Sequence, residues 1–170
     1  MKNQMQNVNI RPLIDTDVLS FIKIRLESLK NTPENFGSSF DEKKNHSEEY
    51  FLEKIRNNII IGCFDKNELL GIIGISKPHL IKMQHIISLW GMYVRPNARG
   101  LGLSKSLLNF VITKMKAQAH CHSIRLSVVA TNTTAIRLYE SVGFKAWAVD
   151  VDALKIGGTY YDEIFMRYDI

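Results

Sequence analysis

The chain of 170 residues is 45% hydrophobic and 23% charged, a balance that excludes a disordered polymer and suits one core of helices packed on a sheet. Its formal net charge of +5 is dispersed, with Lys43 and Lys44 set among Asp41, Glu42, Glu48 and Glu49, so no like-charged block marks a nucleic-acid partner. No apolar run approaches the roughly 20 residues of a membrane span, and the polar first nine residues carry no secretory apolar segment; a single cytoplasmic domain over residues 1–170 is expected, with neither nucleic-acid nor membrane partners.

Residues 7–13 alternate Val8, Ile10 and Leu13 and predict a short opening strand, which Pro12 confines to an edge or a strand end. A helix follows, with Asp15 or Thr16 as its cap and Leu19, Ile22, Leu26 and Leu29 as its buried stripe. Residues 31–39, rich in turn formers around Phe36, read as a loop of the kind that lines sites. Residues 47–57 predict an amphipathic helix with Tyr50, Phe51 and Ile55 on one side. Two β-branched runs, 58–64 and 68–76, joined by Asp65-Lys66-Asn67, form a hairpin. A third run, 85–94, holds Gly91 near its centre, the mark of a bulge or of a close approach by a ligand.

After a basic, glycine-bearing loop at 95–102, Leu107, Leu108, Val111 and Met115 carry a helix to about residue 119. Residues 123–130 then alternate as a strand, and the strand-helix-strand unit predicts a right-handed crossover between parallel strands. His120-Cys121-His122 reads as the entry to that strand, because no partner at metal-binding spacing accompanies it; no metal is expected. With Cys63 as the second cysteine, there are too few thiols for a disulfide framework. Residues 132–142 form a further helix with Gly143 at its C-terminal cap, and runs 144–154 and 159–168 close the fold as a strand pair through Gly157-Gly158. This order favours an α+β domain with a mixed sheet over a doubly wound fold. Open edges on the closing strands could pair two copies in a homodimer.

The chemistry concentrates in two stretches. Met92-Tyr93-Val94 delivers the chain into Arg99-Gly100-Leu101-Gly102-Leu103-Ser104-Lys105, a turn leading to a helix N-terminus whose free N–H groups attract an anion such as a pyrophosphate. The stretch is neither a nucleotide P-loop, since Arg99 and Ser104 stand where glycines are required, nor a dinucleotide fingerprint, since Lys105 takes the last glycine. By itself it also fits a plain strand-to-helix turn. Further on, Asn132-Thr-Thr-Ala135-Ile-Arg-Leu138-Tyr139-Glu-Ser-Val-Gly143-Phe144 presents an amide at a helix start and a phenol two turns later. Taken alone, Asn132 is a helix cap and Tyr139 a core tyrosine.

Together, in this order and spacing, the two stretches resemble the acetyl-CoA-binding core of the GNAT superfamily of N-acyltransferases. They match the family's Arg/Gln-x-x-Gly-x-Gly/Ala loop and its Asn-x-x-Ala-x-x-x-Tyr-x-x-x-Gly-Phe helix; Ser104 departs from the Gly or Ala that usually ends the loop motif. The resemblance implies a mixed, mostly antiparallel sheet of about seven strands, splayed at its centre and flanked by about four helices. It implies acetyl-CoA as cosubstrate and transfer of the acetyl group to a primary amine of a small molecule or peptide by direct attack in a ternary complex. Residues 99–105 would hold the pyrophosphate, Met92, Tyr93 and Val94 the pantetheine arm, and Asn132, Ala135 and Tyr139 the second wall, with Tyr139 protonating the departing thiolate.

The acceptor side is assigned to Glu34, Phe36, Tyr160 and Tyr161, on the argument that aromatics beside carboxylates suit a cationic amine. Strand packing explains the two tyrosines equally well. His85, Glu34, Glu163 or a water relay would serve as base. Two alternatives stay open: a protein N-terminal acetyltransferase of ribosomal-protein type, and a coenzyme A-binding module with little catalysis.

Overall fold

The structure is a computed structural model that describes residues 8–170. Seven strands form one open sheet in the order β1-β2-β3-β4-β5-β7-β6. The strands are β1 (Val8–Pro12), β2 (Ile59–Asp65), β3 (Glu68–Ser76), β4 (Ile86–Val94), β5 (Ser123–Val129), β6 (Lys145–Ile156) and β7 (Thr159–Asp169). Every pairing is antiparallel except β4 with β5, so the mixed, mostly antiparallel sheet expected from the resemblance is what the chain forms. The one parallel pair is joined by α4 (Leu103–Lys116), as a crossover connection requires.

Two cores lie on opposite faces of this sheet. On one, α4 and α5 (Thr133–Ser141) bury Leu107, Leu108, Val111, Tyr139 and Phe144 against Ile73, Ile87, Ile124 and Met166. On the other, α1 (Val18–Asn31) and α3 (Glu48–Asn57) bury Phe21, Ile24, Phe51 and Ile55 against Ile60, Phe64, Ile72 and Tyr93. Tyr93 fixes α1 to β4: its hydroxyl donates to Glu27 at 3.1 Å and accepts from Asn31 at 3.2 Å. Arg95 completes the set by pairing with Glu27 at 3.2 Å.

Three local expectations change. The stripe of α1 is Val18, Phe21, Ile24, Ser28 and Leu29, while Leu19 is 59% exposed and Ile22 and Leu26 are half-buried. Neither Asp15 nor Thr16 caps the helix. A short 3-10 turn at Asp15–Asp17 intervenes, in which Asp17 accepts from the Ile14 N–H at 2.9 Å and pairs with Arg11 at 2.6 Å. A one-turn helix, α2 (Phe40–Lys43), follows the predicted loop, built on a capping box in which Ser39 and Glu42 bond reciprocally; the Ser-x-x-Glu spacing was its signal.

The functional feature of the sheet is its centre. β4 pairs with β5 only over Ile86–Ser123, Ile87–Ile124 and Ser88–Arg125. Beyond Ser88 the strands part, where Gly91 adopts φ +63° and the register against β3 shifts between Ile72 and Gly74. The bulge expected at Gly91 is therefore present, and it turns β4 away from β5. Among the described residues no helix is long and apolar enough to cross a membrane.

Candidate active site

Where β4 and β5 part lies a cleft of about 570 Å³. Its floor is Leu89 to Val94 on β4 and Leu126 to Val128 on β5; its walls are the loop into α4 and the first turns of α5. Of the residues assigned from the sequence to the coenzyme, Met92, Tyr93, Val94, Arg99, Gly100, Gly102, Leu103, Ser104, Lys105, Asn132, Ala135 and Tyr139 all line it. Leu101 does not, and is 37% exposed.

The loop is shaped by backbone angle. Gly100 and Gly102 both adopt φ +77°, and a Cβ at either would meet nothing within 4 Å, so left-handed conformation rather than crowding calls for glycine here. Gly102 is the N-cap of α4 and its carbonyl accepts from Ser106 at 3.0 Å. The N–H groups of the first turn, Leu103 to Lys105, precede the first intrahelical donor and face an anion with the positive end of the helix dipole behind them. Arg99 is fixed by donating from Nε to the Val94 carbonyl at 3.1 Å, with its guanidinium 5.6 Å from the Tyr93 ring. These groups fit a diphosphate.

On the opposite wall, Asn132 caps α5 by accepting from the Ala135 N–H at 3.1 Å. Its amide nitrogen has no protein hydrogen-bond partner among the described residues. Tyr139 is 9% exposed, and its ring packs edge-on against Phe144 with centroids 5.8 Å apart. Its hydroxyl points at the Met92 sulfur, 3.8 Å away. Burial pushes its pKa up to about 12, so the phenol holds its proton throughout the neutral range.

The residues assigned to the acceptor separate. Phe36 lines the cleft, whereas Glu34, Tyr160 and Tyr161 do not, and Tyr160 is 54% exposed. Among the candidate bases, His85 is exposed at the paired end of β4, its ring 6.2 Å from that of His122. Glu163 on β7 accepts from Ser127 Oγ at 3.1 Å, and Ser127 lines the cleft.

The loop 32–39, expected on the acceptor side, brings Thr32, Asn35 and Phe36 to the cleft; sequence reasoning did not find Trp90 or Ser127, which also line it, nor Arg25, whose Nη1 reaches within 3.3 Å of the place a Gly91 side chain would occupy. Trp90 had a usable signal: it sits beside Gly91, and a Cβ on Gly74 of the neighbouring strand would overlap its indole, so the Gly74/Trp90 pairing is a matched small-large pair.

The open sheet is parted at its one parallel pairing, with a glycine-shaped turn at a helix N-terminus on one wall and a buried phenol on the other. The chain belongs to the acetyltransferase (GNAT) family, whose model matches residues 25–144. It is 44% identical over 66 residues to mycothiol acetyltransferase of Acidothermus cellulolyticus, which is 39% of this chain and 20% of that protein's length. It is 29% identical over 133 residues to N-alpha-acetyltransferase of Sulfurisphaera tokodaii, covering 76% of this chain and 75% of that one. Its fold is similar to that of yncA of Salmonella typhimurium, solved with its cofactor acetyl-CoA, at TM-score 0.83 and 18% identity over 96% of this chain and 94% of that chain.

Proposed function

We propose that this protein transfers the acetyl group of acetyl-CoA to a primary amine by direct attack, with the substrates meeting where β4 leaves β5. The observation that carries the reading is the convergence of the α4 N-terminus, the parted strands and the Tyr139 hydroxyl on one cleft.

In this reading the first-turn amides of α4, with Arg99 and Lys105, hold the pyrophosphate, and main-chain groups of Met92 and Val94 hold the pantetheine amides. A main-chain N–H on the free edge of β4 polarises the thioester carbonyl, which gains charge as the amine nitrogen attacks. Holding both substrates along the same strand supplies the proximity that a bimolecular reaction lacks. As the carbon–sulfur bond breaks, Tyr139 gives its proton to the thiolate; its hydroxyl lies beside Met92 on the cleft floor and is protonated at neutral pH. Ser127, backed by Glu163, leads the proton lost by the amine out of the cleft. Acetyl-CoA as cosubstrate agrees with a cytoplasmic location.

The test is free-thiol release from acetyl-CoA across a panel of amines, run beside calorimetry with coenzyme A. Saturable binding with thiol release for some amines is expected; binding with no release for any amine would leave a coenzyme-binding module instead.

A further inference from the structure

A second cavity, of about 280 Å³, opens on the α1–α3 face and shares Trp90 with the coenzyme cleft. Its charged lining is one-sided: Arg25, Lys43 and Lys54 border it, and no Asp or Glu does. The coenzyme cleft likewise has Arg99 and Lys105 on its walls and no carboxylate.

Arg25 stands where the two cavities meet. Its guanidinium lies 5.0 Å from the Phe36 ring and 5.9 Å from the Trp90 ring, both of which line the coenzyme cleft. Gly91, by lacking a side chain, leaves the space beside Nη1. Nη1 is buried and bonds to no protein group, and no ion pair among the described residues includes Arg25, Lys43 or Lys54. Lys43 donates to the Tyr50 hydroxyl at 2.9 Å.

Burial lowers the pKa of Arg25 to about 10, and the Tyr50 phenol opposes the shift; the group keeps its charge at neutral pH. A buried guanidinium without a counter-charge is costly unless an anion meets it, and its planar fork matches a carboxylate or phosphate. Aromatic faces on two sides hold it in place without competing for its N–H donors.

We propose that the acceptor is a small amine that also carries an anionic group, which Arg25 receives at the mouth of the second cavity while the amine faces the thioester. This inference rests on the acetyl-transfer reading and names its substrate class. It excludes polyamines as preferred acceptors, because three cations on the acceptor face repel them and no lining carboxylate attracts them.

The test compares paired acceptors in the thiol-release assay: α-amino acids against their carboxamides, phosphate-bearing amines against the dephosphorylated forms, and spermidine. The anionic member of at least one pair should have a kcat/KM about 100-fold or more above its neutral partner, and the identity of that pair separates a carboxylate acceptor from a phosphate one. R25Q should raise KM for the anionic acceptor and bring the pair within about threefold, whereas R25K should retain part of the preference. K54Q, at the outer wall, should weaken the preference less. Coenzyme A titration identifies any R25Q sample that has lost its fold, and the wild-type pairs stand regardless of it. Equal rates for both members of every pair, preference for spermidine, or an R25Q that slows both members equally would overturn the inference while leaving acetyl transfer intact. Thiol release with no amine at all would overturn the acetyl-transfer reading itself.

Discussion

The two faces of the sheet solve different problems. On the α4/α5 face the cleft walls come from short contiguous stretches: most of the turn at residues 99–105 and the helix from Asn132 to Tyr139 line one cleft by local geometry alone. On the α1–α3 face the groups that meet are Arg25, Phe36, Tyr50 and Trp90, drawn from two helices, a loop and a strand. In the proposed reading the coenzyme side is built from motifs and the acceptor side from packing, and substitutions on the two faces should move different measured quantities.

The largest separation is expected at Tyr139. Y139F keeps the ring against Phe144 but removes the proton donor, and should lower kcat by about 100-fold or more with coenzyme affinity unchanged; an unaltered kcat would confine Tyr139 to packing. The acid is active in its protonated form, so its contribution is lost only as pH rises through about 12. Any alkaline fall in kcat at lower pH belongs to another group and should persist in the residual activity of Y139F.

G102A should weaken coenzyme binding about 10-fold, the cost of forcing a side chain into a left-handed backbone, with acceptor KM unmoved. A matching rise in acceptor KM would show that the faces are coupled through the loop. Y93F removes the bond that joins β4 to Glu27 and should reduce stability by about 1 kcal/mol, visible as a lower melting temperature. If coenzyme affinity fell with it, the two faces would not be separable.

The smallest effect concerns Asp17. Its pKa is lowered by the hydrogen bond from Arg11 and, further, by the Ile14 N–H. A depressed carboxylate contributes stability that is present above its unfolded pKa and lost as pH falls through the folded value. D17N should flatten that acid limb of the unfolding curve and leave both substrate constants alone; identical acid limbs would remove Asp17 from the account.

The same contrast explains what could be read in advance. Gly100, Gly102, Asn132 and Gly143 act through backbone angles and caps that a few neighbouring residues determine, and the structure has Gly100 and Gly102 in left-handed turns and Asn132 capping α5. Arg25 lies against Phe36 and Trp90, the latter 65 positions away, and no spacing rule connects them. The stripe of α1 went astray for a related reason. Its true buried side runs Val18, Phe21, Ile24, Ser28 and Leu29, and the expected row shares only Leu29 with it. The polar Ser28 within that stripe, flanked by Arg25, made the row of Leu19, Ile22 and Leu26 look the more apolar side.

The three-residue register between Ile86–Ser88 and Ser123–Arg125 also has a mechanical consequence. Two half-sheets, β1 to β4 and β5 to β6, are joined by the shortest ladder among the described residues, and the amides past it face open space instead of a neighbouring strand. An extended guest lying there takes the place of the missing rungs and acts as a stitch across the seam. Amide hydrogens on the free edges of β4 and β5 should therefore exchange fastest among the central strands when the protein is alone, and slow most when that guest is bound.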